Sequence, residues 1–293
     1  MTALSFDQIT SDRISSFNNH HIEVEVLRLD KVDKVISGNK WFKLRYYIEE
    51  AKANDKKGIL TFGGAWSNHI VATAAACQLH GLQSIGIIRG EESLYLSNTL
   101  KMANDMGMQL VFIPRSSYQK KEIPASLDVT NYAIVDEGGY GRPGANGAST
   151  ILNWCNKSYT HYCCAIGTGT MMAGIINSVS SGQQVVGISA LKNNFSLPSL
   201  VRSLLDGDKK NWTILHDYSF NGYAKHTPEL LQFMNAFYRR TGVPTDFVYT
   251  GKLFYAVTDL VEKNYFPPGS KILVIHSGGL QGNTSLKEGT LLF

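Results

Sequence analysis

The sequence predicts an α/β protein with open, twisted, mostly parallel sheets flanked by helices. Two observations carry this expectation. Short apolar runs alternate with stretches of helical spacing: Ile59–Phe62, Gln83–Arg89 and Gln109–Ile113 read as strands, with helices between them. The connections are short, which asks for βαβ units whose right-handed crossovers put a helix on each face.

The elements follow in order. Residues 22–29 alternate apolar and polar and predict a strand with one buried face; 30–37 form a loop or hairpin. Trp41, Leu44, Arg45 and Ile48 through Ala51 have helical spacing, with Glu49 and Glu50 outward, which predicts a helix over 41–54. Gly63-Gly64 end the strand 59–62, and Ser67-Asn68 cap a helix over 68–80 that stops at Gly81. The strand 83–89, a helix over 98–106 stopped by Gly107 and the strand 109–113 come next. Residues 133–147 are the richest glycine segment and read as an interdomain linker.

The alternation then resumes. His161–Ile166 is a strand, Gly167-Thr168-Gly169-Thr170 a turn, and a helix runs on through Val179. Gln184–Ser189 is a buried strand; Pro228 opens a helix over 229–241. Asp246–Lys252 reads as a strand end, a turn and a helix start, and Lys271–His276 as a last buried strand ending in Ser277-Gly278-Gly279. Carboxyl ends of strands are where open parallel sheets bind ligands, and Ser67, Thr168, Tyr249 and Ser277 all fall at predicted ends.

Composition excludes several classes. The 293 residues are enough for one large or two modest domains with a sizeable core. A formal net charge of +4, with cations scattered as single residues and pairs such as Lys56-Lys57 and Lys120-Lys121, makes a solvated surface rather than a nucleic-acid footprint. The four cysteines, Cys77, Cys155, Cys163 and Cys164, have no metal-ligand spacing, so they are expected as free thiols in a reducing compartment, with no metal. Met1–Ile9 lacks the pattern of a secretory leader, and no apolar run is long enough to span a bilayer; the expected location is the cytoplasm, with no membrane partner.

The motif that organises the chain is Ser37-Gly38-Asn39-Lys40, directly before a helix. The positive end of a helix favours the neutral, nucleophilic form of a lysine there. Alone, Lys40 reads as one surface lysine of many. The second motif, Gly63-Gly64-Ala65-Trp66-Ser67-Asn68, follows one strand later, and the glycine- and threonine-rich turn 167–170 presents N–H groups and hydroxyls to an anion. No P-loop lysine follows that turn, which excludes a nucleotide P-loop.

In this order the motifs resemble those of fold-type-II pyridoxal-phosphate (PLP) enzymes, which share the tryptophan synthase β-like fold, in the branch containing D-cysteine desulfhydrase and 1-aminocyclopropane-1-carboxylate deaminase. Ser37 replaces the first glycine of that branch, and Phe42 stands where a basic residue is common. The resemblance implies that Lys40 carries the cofactor and shuttles the α-proton, and that Asn68 bonds the cofactor's 3′-oxygen. It gives Ser67 the substrate carboxylate or a part in proton transfer, and Thr168, Gly169 and Thr170 the phosphate. Met171, where a hydroxyl residue is frequent, would offer only its N–H. Tyr223 and Tyr249 match two active-site tyrosines; outside that context either is a core aromatic with a satisfied hydroxyl. Lys252 is expected to support its turn. Glu137-Gly138-Gly139 fits the segment leaving a small domain, which places that domain at 45–145 and the large one at 1–44 and 146–293.

The same resemblance turns on Thr250. The deaminases carry a glutamate there, beside the pyridine nitrogen, whereas neutral Thr250 or Ser277 would suit the loss of a good β-leaving group. The expected activity is β-elimination from D-cysteine or a related D-amino acid to pyruvate, ammonia and sulfide, by a homodimer acting on a small amino-acid substrate. The alternatives are 1-aminocyclopropane-1-carboxylate deaminase, or a PLP-binding protein of low activity.

Overall fold

The computed structural model describes residues 4–15, 17, 21–155 and 157–293. Met1–Ala3 of the segment read for a leader lie outside the described residues. Two sheets make the frame. The first runs β1 (Ser11–Arg13), β2 (Glu23–Arg28), β10 (Lys271–His276), β7 (His161–Ile166), β8 (Gln184–Ser189), β9 (Trp212–Leu215), with only β1 antiparallel. The second runs β5 (Met108–Ile113), β4 (Gln83–Arg89), β3 (Gly58–Gly63), β6 (Tyr132–Val135), all parallel. The helices are α1 (Asn39–Ala53), α2 (Asn68–Leu79), α3 (Asn98–Asp105), α4 (Arg115–Gln119), α5 (Arg142–Ser149), α6 (Thr170–Ser178), α7 (Leu197–Arg202), α8 (Pro228–Thr241) and α9 (Thr250–Glu262).

The chain alternates as the apolar pattern predicts, because the central strands are buried on both faces. Leu273 and Ile275 of β10 join one core cluster with α5 and α6, while Ile272 and Val274 join another with α9. The same pleat separates the adjacent thiols: Cys164 enters the first cluster and Cys163 the second. Burial pushes the Cys164 thiol up to about 12 and raises that of Cys163 as well, and all four cysteines are free. In the second sheet, Ile59 packs with Leu44 and Ile48 of α1, and Leu60 and Phe62 pack with Tyr118 on the other face. Helix α2, apolar all round, fills the space between two clusters.

Two expectations change. The segment 133–147 is not a linker: it completes β6, turns at 137–139 and forms α5. Its glycine content hid the helix, because low propensity is offset by close packing. A methyl at Gly147 would overlap the Phe42 carbonyl oxygen, so glycine is what lets α5 and α1 touch. Residues 246–249 form a turn rather than a strand end, so Tyr249 starts α9 without following a strand. Helix α1 passes unbroken through residues 44 and 45, inside which the expected domain boundary falls.

The two sheets meet where α1 begins. The N–H of Asn39 donates to the Ser277 carbonyl at 3.1 Å, just past the end of β10. Gly38 has φ +65°, and a Cβ there would overlap the Ser277 carbonyl. Gly38→Ala is therefore expected to cost at least about 2 kcal/mol through backbone strain and displacement of the β10 end. Urea unfolding checks this; a change within experimental error would show that the two segments need not meet so closely.

Candidate functional site

A cavity of about 610 Å³ opens between the two sheets. Its wall includes Lys40, Ser67, Asn68, Thr168, Tyr223, Tyr249 and Ser277, seven of the residues singled out in the sequence. Lys40 is in the first turn of α1, and its Nζ donates to Asn39 Oδ1 at 2.8 Å; Asn39 Nδ2 is in turn 3.1 Å from Met171 Sδ. Burial brings the Lys40 amine down to about 8, against the Asp246 carboxylate, which holds it up. The amine therefore sheds its proton at a lower pH than an ordinary lysine.

Ser67 caps α2, its Oγ accepting from the Ile70 N–H at 3.4 Å. The Asn68 amide is tied at one end to the Gly279 carbonyl at 3.4 Å, while its buried Oδ1 has no partner. Thr168 lies on the wall with its Oγ1 3.0 Å from that of Thr170. Gly169 and Thr170 stand behind it: Gly169, at φ +85°, is the N-cap of α6, and Thr170 is buried within its first turn. The rings of Tyr223 and Tyr249 meet edge to face, with centroids 6.1 Å apart. Burial raises both phenols, that of Tyr249 strongly, so both remain protonated donors through neutral pH.

Thr250 does not line the cavity. Its hydroxyl donates to Asp246 Oδ1 at 2.7 Å and accepts the Asp246 N–H at 2.7 Å. The remaining capacity of Asp246 is met by the N–H groups of Val248, Tyr249 and Thr250, each at 2.9 Å. Asp246 therefore stabilises the N-terminal end of α9 and fixes the turn that points Tyr249 into the cavity. Of the two hydroxyl candidates for the ring nitrogen, only Ser277 is on the wall.

Sequence reasoning missed Lys43, His69, Arg89 and Asp246. Lys43 is one turn from Lys40 on the same helix face, a spacing that could have marked it. It is buried on the cavity wall, and burial with the Lys40 charge beside it pushes its amine well below the usual lysine range. Arg89, at the end of β4, was visible as a residue at a strand end. Asp246 was hidden by the misread strand.

His69 depends on three-dimensional bookkeeping. Thr61 Oγ1 is 2.8 Å from His69 Nε2 and also donates its single proton to the Val135 carbonyl at 2.7 Å. It must accept from His69, so Nε2 carries the proton and Nδ1 is a bare acceptor. That Nδ1 is buried on the cavity side without a partner, and burial with Lys43, Lys40 and Lys121 nearby holds the imidazole well below its usual range. Leaving such an acceptor unpaired costs about 1–3 kcal/mol, which a bound donor would offset.

Comparisons with known proteins show the family to which the chain belongs. A family model described as pyridoxal-phosphate dependent enzyme matches residues 10–278. The chain is 28% identical over 284 residues, 89% of its length and 85% of the relative's, to a putative 1-aminocyclopropane-1-carboxylate deaminase of Pyrococcus horikoshii. It is 28% identical over 299 residues, 89% of this chain and 73% of the other, to a bifunctional D-cysteine desulfhydrase/1-aminocyclopropane-1-carboxylate deaminase of Arabidopsis thaliana. The crystal structure of a 1-aminocyclopropane-1-carboxylate deaminase homologue superposes with a TM-score of 0.80 at 25% identity, over 94% of this chain and 90% of that one. Among the described residues no group of three or more His, Cys, Asp or Glu side chains could hold a metal. The residues present fit pyridoxal phosphate: a depressed lysine amine, the helix start at α6 for an anion, and buried acceptors on Asn68 and His69 left open for a bound donor.

Borohydride reduction in the presence of pyridoxal phosphate, followed by peptide mapping, is expected to label Lys40, and Lys40→Ala to lose the label. Capture by the apoprotein should speed up as pH passes about 8 rather than 10.5, since only the neutral amine attacks. The sign for stability is the same. Between about 8 and 10.5 the unfolded chain keeps a proton that the folded one has shed, so this group adds stability as pH rises and loses it as pH falls through 8. A label on Lys43 would show that the other lysine is the reactive one. Nitrogen NMR of the apoprotein should find His69 neutral, with its proton on Nε2, at mildly acidic pH; an imidazolium signal there would contradict the assignment.

Proposed function

This chain belongs to the pyridoxal-phosphate dependent enzymes, and from that premise we propose that it is a lyase eliminating the β-substituent of D-cysteine or a related D-amino acid, with pyruvate, ammonia and sulfide as products. Pyridoxal phosphate is the cofactor; when bound, it supplies the electron sink that stabilises the carbanion formed at the substrate's α-carbon. In this reading Lys40 Nζ holds the cofactor and, once displaced, takes the α-proton. Ser67 and the start of α2 hold the substrate carboxylate. Asn68 faces the ring oxygen, and Thr168, Gly169, Thr170 and the start of α6 hold the phosphate. Tyr223 and Tyr249, both protonated, stand as donors to the departing sulfur, and Ser277 faces the ring nitrogen.

One observation supports elimination of a good leaving group over ring opening. At the end of the cavity formed by β10 and the start of α9, the polar wall groups are the neutral hydroxyls of Ser277 and Tyr249, and residue 250 carries no carboxylate. The carboxylates on the wall, Asp136 and Glu137, follow β6 of the other sheet, and Glu137 pairs with Lys121 at 2.9 Å. A neutral partner leaves ring protonation less favoured; each pKa unit of such stabilisation is worth about 1.4 kcal/mol, or roughly tenfold in a rate that depends on it. A thiolate tolerates the weaker sink. The second reading, a 1-aminocyclopropane-1-carboxylate deaminase, is favoured by the names of the relatives. The division into domains at 1–44 with 146–293 and at 45–145, and a cytoplasmic homodimer, belong to the same proposal.

The loaded enzyme should release sulfide from D-cysteine and form little 2-oxobutanoate from the cyclopropane amino acid. Ser277→Ala should lower sulfide release and weaken the cofactor. Efficient 2-oxobutanoate formation, with no sulfide from either cysteine enantiomer, would replace this reading by the second one.

A further inference from the structure

Lys252 is a fully buried cation for which the proposed chemistry has no use. It lies in the first turn of α9, and its side chain runs away from the cavity wall. Its Nζ donates to the carbonyl oxygens of Ser219 at 2.8 Å and Gly222 at 2.7 Å, with that of Ala190 at 3.5 Å. The nearest opposing charge is Asp246, which acts on it through space without an ion pair. A buried ammonium is costly unless its donors are met, and here backbone carbonyls from two separate segments meet them.

The segment so held is strained. Ser219 to Gly222 close a tight turn, with the Gly222 N–H donating to the Ser219 carbonyl at 2.9 Å. Phe220 at φ +46°, Asn221 at φ +69° and Ala224 at φ +52° are all in the left-handed region. Non-glycine residues there persist only where their surroundings over-determine them, at about 1–3 kcal/mol each. Two contacts restrain this turn from outside: the Phe220 ring packs edge-on to Tyr255 at 4.8 Å, and Lys252 grips both of the turn's end carbonyls. The next residue is Tyr223. Lys252 also shares its helix with Tyr249, three positions earlier at the N-cap.

We propose that Lys252 is the positioning residue of the tyrosine pair: its ammonium occupies a cage of backbone carbonyls and holds the strained turn carrying Tyr223 against the helix that starts at Tyr249. The proposal rests on the reading of Tyr223 and Tyr249 as the paired donors. The cage recognises an ammonium-like monovalent cation by carbonyl oxygens alone, so a variant lacking the side chain should accept such a cation from solvent.

The experiment uses the full-length holoenzyme and Lys252→Ala, with hydrogen exchange of the amides in 219–225 as the primary readout and turnover as the second. Exchange at Gly222 and Lys225, whose N–H groups close the turn, should be about tenfold or more faster in the variant, with the β7 and β10 amides unchanged. Ammonium chloride should slow it again, while tetramethylammonium chloride at the same ionic strength should not. kcat should fall with the exchange change and recover with ammonium, and KM should move less. Unchanged exchange in 219–225, or faster exchange across the whole chain, would overturn the proposal, as would indifference to ammonium. Loss of protection with full turnover would leave the cage standing but overturn the tyrosine assignment on which the proposal rests. If Lys252→Ala does not fold, Lys252→Met keeps the stem and removes the charge; wild-type exchange in 219–225 of that variant overturns the proposal equally.

Discussion

The start of α1 against the end of β10 is the contact on which the site depends. One hydrogen bond, from the Asn39 N–H to the Ser277 carbonyl, joins the first helix to the last strand. Positive φ at Gly38 turns the chain tightly enough for that bond to form, and no side chain would fit between the two backbones. Lys40 and Ser277 thus reach the same cavity from segments more than two hundred residues apart. The second sheet brings Ser67 and Asn68 to the facing wall, where the Asn68 amide reaches across to the Gly279 carbonyl.

The electrostatics of the cavity follow from burial more than from ion pairs. Lys40, Lys43 and His69 share one poorly solvated space, and each depresses the next. Asp246 is the counterweight: its carboxylate raises both Lys40 and Lys252 while its oxygens are saturated by the first turn of α9. The Asp246 carboxylate is off the wall, so the cavity keeps the cations Lys40, Lys43 and Arg89 on its lining, suited to an anionic cofactor and a carboxylate substrate. The unpaired acceptors on Asn68 and His69 are deficits that a bound group would fill.

Much of this was legible in the chain. Strands β4, β7, β8 and β10 have the limits their apolar runs predict, because strands buried on both faces leave an uninterrupted signature. The cap at Ser67 and the helix start at Pro228 were readable because they are local chemistry. Helix α5 was not legible, since Gly144 and Gly147 favour a loop until α1 and α6 press against them. Nor was the turn at 246–249, where three apolar or aromatic residues imitate a strand and an aspartate side chain decides otherwise.

The sequence by itself determined the alternation of elements, the lysine at a helix mouth, the Ser67-Asn68 cap and the threonine turn, because each is set by neighbours within a few residues. Only the tertiary structure decided which of those groups share a cavity. It turned the Thr250 hydroxyl to Asp246 and left Ser277 on the wall, since a hydroxyl bonds whichever partner the fold brings nearest. It chose the tautomer of His69 through Thr61 and Val135, and it gave Lys252 three carbonyls to hold. Those choices depend on contacts between distant segments, whose spacing no local pattern encodes.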